Sequence, residues 1–276
     1  MTPATLPHRS PSAAFPTPGP IPAPVSAGRV IAVASGKGGV GKTWLAITLS
    51  HVLARAGRRV LLVDADLGLA NVDVQLGLEP GHGLPSVLAG RVPVADAVRP
   101  CPALGCDILA GCSGSGALAG LDDAAHHTLL GALRAAAPGW QDIVLDLGAG
   151  LDRGVRILAA GADLLLVVAT NEPTSLTDAY AVLKLHRRDR PGGDARLVVN
   201  QAADRAAGER TWRGLDRACR SVLGGGVPLA GVLRRDPRVP DAIRRQTAFL
   251  SRFPTSPLAS DVEALRAALR PDAVAK

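Results

Sequence analysis

Ser35-Gly36-Lys37-Gly38-Gly39-Val40-Gly41-Lys42-Thr43 is the stretch that decides the fold. From Gly36 to Thr43 it matches G-x-x-x-x-G-K-[ST]. The apolar run Val30-Ile31-Ala32-Val33-Ala34 precedes it, and Leu45, Ile47, Leu49 and Val52 give the segment after it an apolar helical pattern. The reading is therefore strand, glycine loop, helix. Glycines let a backbone wrap a phosphate closely with successive amides pointing inward. The helix start adds the positive end of its dipole. Lys42 brings a charge to the terminal phosphates, and the Thr43 hydroxyl is placed to ligate Mg²⁺.

Two further blocks read as buried parallel strands ending in acids. Val60-Leu61-Leu62-Val63 runs into Asp64-Ala65-Asp66, and Ile143-Val144-Leu145 into Asp146-Leu147-Gly148-Ala149-Gly150. Continuous apolar runs bounded by turns suit strands covered on both faces. Ligands of such sheets bind beyond the carboxyl ends of the strands, where these acids fall. Asp146 reads as a Walker-B acid holding Mg²⁺ through water, opposite Thr43. Gly148 and Gly150 let the following loop approach a γ-phosphate.

The second lysine narrows the motif. Gly36-Lys37-Gly38-Gly39-Val40-Gly41-Lys42-Thr43 resembles the deviant phosphate loop of the MinD/ParA family of ATPases. The resemblance covers roughly Arg29 to Leu269. It implies an α/β P-loop NTPase fold, a mostly parallel twisted sheet with helices on both faces. It implies ATP and Mg²⁺ as ligands and ATP hydrolysis as the activity. It also implies an ATP-dependent homodimer in which Lys37 contacts phosphates across the interface. The nucleotide-binding set is then Gly36, Lys37, Gly38, Gly39, Val40, Gly41, Lys42, Thr43, Trp44 and Asn200. Lys37, Lys42 and Asp66 carry the catalysis, with Asp66 positioning the attacking water. Thr43, Asp64 and Asp146 belong to the magnesium shell. Glu172 and Asp178, with Lys37, face the partner subunit.

Some residues depart from the family pattern or leave alternatives open. The loop of relatives usually ends Lys-Thr-Thr, and Trp44 replaces the second threonine, keeping its amide and losing its hydroxyl. ATP binding should survive this. Asn200 ends the strand Leu197-Val198-Val199-Asn200. An asparagine can pair both edge groups of a purine, the role it has in the family, but the residues alone fit a plain turn equally well. Ser175 and Asp178 make an S-x-x-D capping signal. The wording of Thr170-Asn171-Glu172-Pro173-Thr174-Ser175-Leu176-Thr177-Asp178-Ala179-Tyr180 and of Leu109-Ala110-Gly111-Cys112-Ser113-Gly114 resembles the branch of MinD-like ATPases that controls flagellar number and placement. That branch implies a signal-recognition-type GTPase or a flagellar regulatory protein as partner. The alternative is a ParA-type ATPase that partitions chromosomes or cargo on DNA.

Composition agrees with this class. The 276 residues suffice for one large α/β domain. With aromatics at 3%, the core must come from Leu, Val, Ala and Ile, and stacking platforms for single-stranded nucleic acid are unlooked for. The cysteines, Cys101, Cys106, Cys112 and Cys219, form no C-x-x-C pair, which disfavours zinc and the iron–sulfur-carrier branch. Residues 1–28 are proline-rich and read as a disordered tail, either a partner-binding arm or a passive one. Residues 29–276 form the ATPase domain. Neither a signal peptide nor a long apolar span is evident, so the expected location is the cytoplasm, peripheral at the inner membrane face if a membrane is bound at all. The C-terminal pattern Val262, Leu265, Leu269 suits a helix facing the core. The net charge of +7 is concentrated between Arg187 and Arg252, which hold 15 Arg against 7 Asp plus Glu. Such a face suits DNA, an acidic partner, anionic lipid or mere solvation.

Overall fold

The structure is a computed structural model that describes residues 28–79, 83–111 and 121–269. β1 (Arg29–Ser35) leads through the glycine loop into α1 (Lys42–Arg55). β2 (Val60–Ala65) is followed by three short helices, α2 (Val72–Leu76), α3 (Leu84–Leu88) and α4 (Val94–Ala97). A hairpin of β3 (Arg99–Cys101) and β4 (Cys106–Leu109) precedes α5 (Asp123–Ala136), β5 (Asp142–Ala149) and α6 (Arg153–Gly161). Then come β6 (Leu164–Ala169), α7 (Pro173–Asp189), β7 (Ala195–Ala202) and α8 (Arg205–Leu223). β8 (Leu229–Arg234), α9 (Val239–Arg244), α10 (Phe249–Arg252) and α11 (Pro257–Ala268) follow.

The described strands form one sheet in the order β3-β4-β2-β5-β1-β6-β7-β8. Every neighbouring pair is parallel except the edge hairpin β3–β4. β1 is central, between β5 and β6, so its glycine loop opens at the middle of the carboxyl edge. β2 lies beside β5 with Asp64 directly opposite Asp146. The sheet thus gathers the loop and both acid-bearing strand ends in one place, as the doubly wound arrangement requires.

Alternation along the strands divides the core into two layers. Val30, Ala32 and Ala34 of β1 pack with Leu129 and Leu133 of α5, Leu158 of α6 and Leu183 of α7. Ile31 and Val33 face the other way, against Leu45 and Leu49 of α1, Phe249 of α10 and Val262 of α11. Burying a side chain such as Ile31 completely contributes about 1.5–3 kcal/mol. This is why strands covered on both faces read as unbroken apolar runs.

Local chemistry moves several helix boundaries from their expected places. α7 starts at Pro173, before the expected Ser175, because proline at the first helical position needs no amide partner. Ser175 is therefore inside the helix, and its hydroxyl accepts from the Thr170 amide at 3.0 Å. α8 starts at Arg205 because Asp204 caps it, accepting from the Ala207 amide at 2.6 Å. The helix expected over 239–251 breaks in two at Gln246, which adopts φ 50° and donates to the Val74 carbonyl at 2.9 Å. α11 faces the core as its pattern predicts, with Val262, Leu265 and Leu269 buried. Among the described residues, no helix is long and apolar enough to cross a membrane. Apart from Gly28, the tail lies outside the described residues, as does Cys112; Cys101, Cys106 and Cys219 are free thiols.

Candidate nucleotide site

The glycine loop is held open by its backbone. Gly39 and Gly41 have φ of 79° and 92°, a region that favours glycine. Gly41 is the N-cap of α1 and offers no side chain to the first turn, so the leading amides of the helix remain available to an anion. Gly36 meets a different demand: a β-carbon there would sit 2.6 Å from the Asp178 carbonyl oxygen, so α7 packs directly on the loop. Lys42 is 8% exposed, and its charge reaches Asp146 on the neighbouring strand.

Asp146 is the outstanding feature of the site. It is fully buried, and neither carboxylate oxygen has a hydrogen-bond partner. Burial pushes its pKa up to about 7, with the Lys42 charge and then the Thr43 hydroxyl pulling the other way. Buried polar groups are normally satisfied, so an orphaned carboxylate calls for a ligand. The donors here are hard oxygens, the carboxylate of Asp146 and the hydroxyl of Thr43, and that set fits Mg²⁺.

Asp64 has another task. One oxygen accepts from the amides of Asn71 and Val72, both at 2.9 Å, and the other from Asp66 at 3.3 Å. Burial raises its pKa to about 6 despite these bonds. These bonds make Asp64 an anchor for the loop from Asp66 to Val72. Asp66 lies at the rim, half-buried, with Oδ1 accepting from the Leu69 amide at 3.0 Å. A β-carbon at Gly148 would come within 3.3 Å of that oxygen, so the carboxyl end of β5 approaches Asp66 closely. The two segments face a cavity of about 550 Å³, with Leu69, 76% exposed, on its lining.

Lys37 is engaged at the start of α7. Its ammonium donates to Glu172 at 2.6 Å and to Thr174 at 3.0 Å, at the start of α7. The pair is open to solvent, with side chains 38% and 60% exposed. The structure thus brings the two expected interface residues Lys37 and Glu172 together within one chain, and Asp178 lies beside them against Gly36.

Trp44 turns into the core rather than over the loop. Its ring meets Phe249 edge-on at 5.7 Å. Asn200 is buried, and its amide donates to the Val40 carbonyl at 2.8 Å, so it touches the loop directly. Two residues of the site enter the sequence reading only as part of longer segments, with no role assigned to them. Thr174 joins Lys37, and Gly111 packs so closely that a β-carbon would lie 2.4 Å from that of Ala70. Several arginines between 187 and 252 are held in ion pairs, Arg234 with Asp261, Arg238 with Asp236, and Arg244, Arg245 and Arg252 all on the single Asp241, so the basic excess of the stretch persists.

The model of the CobQ/CobB/MinD/ParA nucleotide-binding domain matches residues 31–249. The chain belongs to this family. It is 38% identical over 228 residues to the antiactivator FleN of Pseudomonas aeruginosa, covering 83% of this chain and 81% of that protein. It is 30% identical over 203 residues to the flagellum site-determining protein YlxH of Helicobacter pylori, covering 71% and 65%. Among solved structures, the septum site-determining protein MinD of Pyrococcus horikoshii, complexed with Mg-ADP, matches with a TM-score of 0.73 and 25% identity. That match covers 86% of this chain and 94% of that one. The family and fold expected from the phosphate loop are thus the ones found.

Proposed function

We propose that this chain is a Mg²⁺-dependent ATPase that acts as an ATP-controlled dimerisation switch in the cytoplasm, regulating flagellar number or placement. The observation that carries the site reading is the orphaned, buried carboxylate of Asp146 opposite Lys42 and Thr43, at the end of an uncapped helix. The likeness to FleN and to the flagellum site-determining YlxH supports the role.

In this reading the loop amides and the α1 start cradle the phosphates, and Lys42 balances the charge that builds on the β- and γ-oxygens. Thr43 and Asp146 would hold Mg²⁺, which supplies further charge neutralisation on the same oxygens. Asp66 accepts a proton-bearing edge of the attacking water and aligns it. Its Oδ1 is steadied by the Leu69 amide. Lys37, paired within the chain to Glu172, would have to leave that partner to reach phosphates across a dimer interface.

The test pairs two variants. Lys42→Ala should lose tight ATP binding in a titration with a fluorescent analogue. Asp66→Ala should bind ATP, fail to hydrolyse it, and accumulate as a dimer by light scattering. Parent-like affinity in Lys42→Ala would refute the phosphate site. A persistent ATP-bound monomer in Asp66→Ala would refute the switch.

A further inference from the structure

The carboxyl end of β7 reaches back to the phosphate loop through two successive side chains. Asn200, 5% exposed, donates from Nδ2 to the Val40 carbonyl at 2.8 Å. Its Oδ1 accepts from the Gln201 amide at 2.9 Å. Gln201 adopts φ 56°, a left-handed conformation that costs a residue with a β-carbon. From that turn its Nε2 donates to the Gly39 carbonyl at 3.4 Å. Gly41 completes the fit, because a β-carbon there would lie 2.5 Å from Asn200 Nδ2.

A trans peptide plane carries its carbonyl and its amide hydrogen on opposite sides. Holding the carbonyls of Gly39 and Val40 towards β7 therefore turns the amides of Val40 and Gly41 the other way, into the cradle. We propose that Asn200 and Gln201 are positioning residues for phosphate binding: they fix the cradle's amides whatever base the nucleotide carries. This rests on the phosphate-loop reading and goes beyond a purine-edge role for Asn200. It also explains why a strained backbone is kept at Gln201. A turn alone would be satisfied by glycine, whereas a brace needs the side chain.

The experiment separates base from phosphate. Mg-ATP and Mg-tripolyphosphate, which carries the phosphates and no base, are titrated into the full-length parent, Asn200→Ala and Gln201→Gly. Asn200→Ala should weaken both ligands by a similar factor, about tenfold, the scale of one lost buried hydrogen bond. Gln201→Gly removes the weaker brace and relieves the left-handed strain. It should fold at least as stably as the parent and weaken tripolyphosphate by about twofold to fivefold. Weakened ATP with unchanged tripolyphosphate in Asn200→Ala would overturn the proposal and leave Asn200 a base reader. If Asn200→Ala does not fold, unchanged tripolyphosphate affinity in folded Gln201→Gly overturns it. A parent that binds neither ligand is a distinct result, and it overturns the phosphate-loop reading together with this one.

Discussion

Replacing Asp146 by Asn should stabilise the nucleotide-free protein at alkaline pH while abolishing its response to magnesium. The carboxyl is fully buried without a hydrogen-bond partner, and its pKa stands at about 7 against an ordinary value of 3.8. Raised values mean that the folded chain holds protons the unfolded chain has released. Stability is therefore greatest below about pH 4, falls as pH rises through that window, and is lowest above 7. The gap of about three pKa steps sets a ceiling near 4 kcal/mol on the cost of the charge. Water entry and the nearby Lys42 charge reduce this, and about 2 kcal/mol is a reasonable expectation, or roughly 4–8 °C in Tm for a chain of this size. Asp64, raised to about 6, acts in the same direction, but it neighbours Asp146 and the two costs do not add. His51 and His186 run the opposite way. Burial holds both below their ordinary pKa, so their contribution is full above pH 6.5 and is lost as pH falls. Comparing variant with parent at each pH cancels them. The assay is thermal melting at pH 5, 6.5 and 8, with and without Mg-ADP. The variant should melt above the parent at pH 8, by a margin that shrinks towards pH 5, and only the parent should gain stability from Mg-ADP. A variant less stable than the parent at pH 8 would refute the claim that Lys42 and Thr43 leave this carboxylate's charge under-compensated.

Two more predictions concern Lys37. Mixing Lys37→Ala with Asp66→Ala should restore hydrolysis in one site of the mixed dimer, since the Lys37→Ala subunit keeps its own Asp66 and receives Lys37 from its partner; two dead proteins that form mixed dimers yet stay dead would place Lys37 in its own site. Glu172→Gln should change the ATP-dependent dimerisation constant by no more than a few-fold, because an exposed ion pair contributes about 0–1 kcal/mol, and sedimentation of the two proteins with ATP would expose any larger loss as a sign that Glu172 contacts the partner.

The legible part of this chain is the part whose chemistry is contiguous. The phosphate loop is one run from Gly36 to Thr43, so its motif and its strand–helix context can be read together. Asp64, Asp66 and Asp146 were legible because a parallel sheet sends all its strand ends to one edge. What the sequence concealed depends on pairs far apart in the chain. Lys37 finds Glu172 135 residues away, and Asn200 finds Val40 160 residues away. No periodicity encodes either. The place of the Trp44 ring was not legible either, because its aromatic neighbour, Phe249 of α10, is brought near only by the fold. β3 escaped notice because it has three residues, one of them Pro100, which donates no ladder hydrogen bond. The break at Gln246 was invisible because it is imposed from outside, by the Val74 carbonyl and the side-chain-free surface of Gly77.

Asp64 and Asp146 show most clearly why residue type and position do not fix a role. They stand opposite each other in adjacent strands, equally buried, in the same register of the same sheet. The chains that follow them make the difference. After β2 the backbone folds back over Asp64 and delivers the amides of Asp66, Asn71 and Val72 to its oxygens. β5 instead ends through Gly148 and passes into Gly150, at φ 109°, two residues that carry no side chain to offer Asp146. One acid is thus engaged in shaping a loop, and the other faces Lys42 and Thr43. The engaged acid is not idle in the reaction, because the loop it shapes carries Asp66. Moving that loop strips hydrogen bonds from a buried carboxylate one strand away from Asp146.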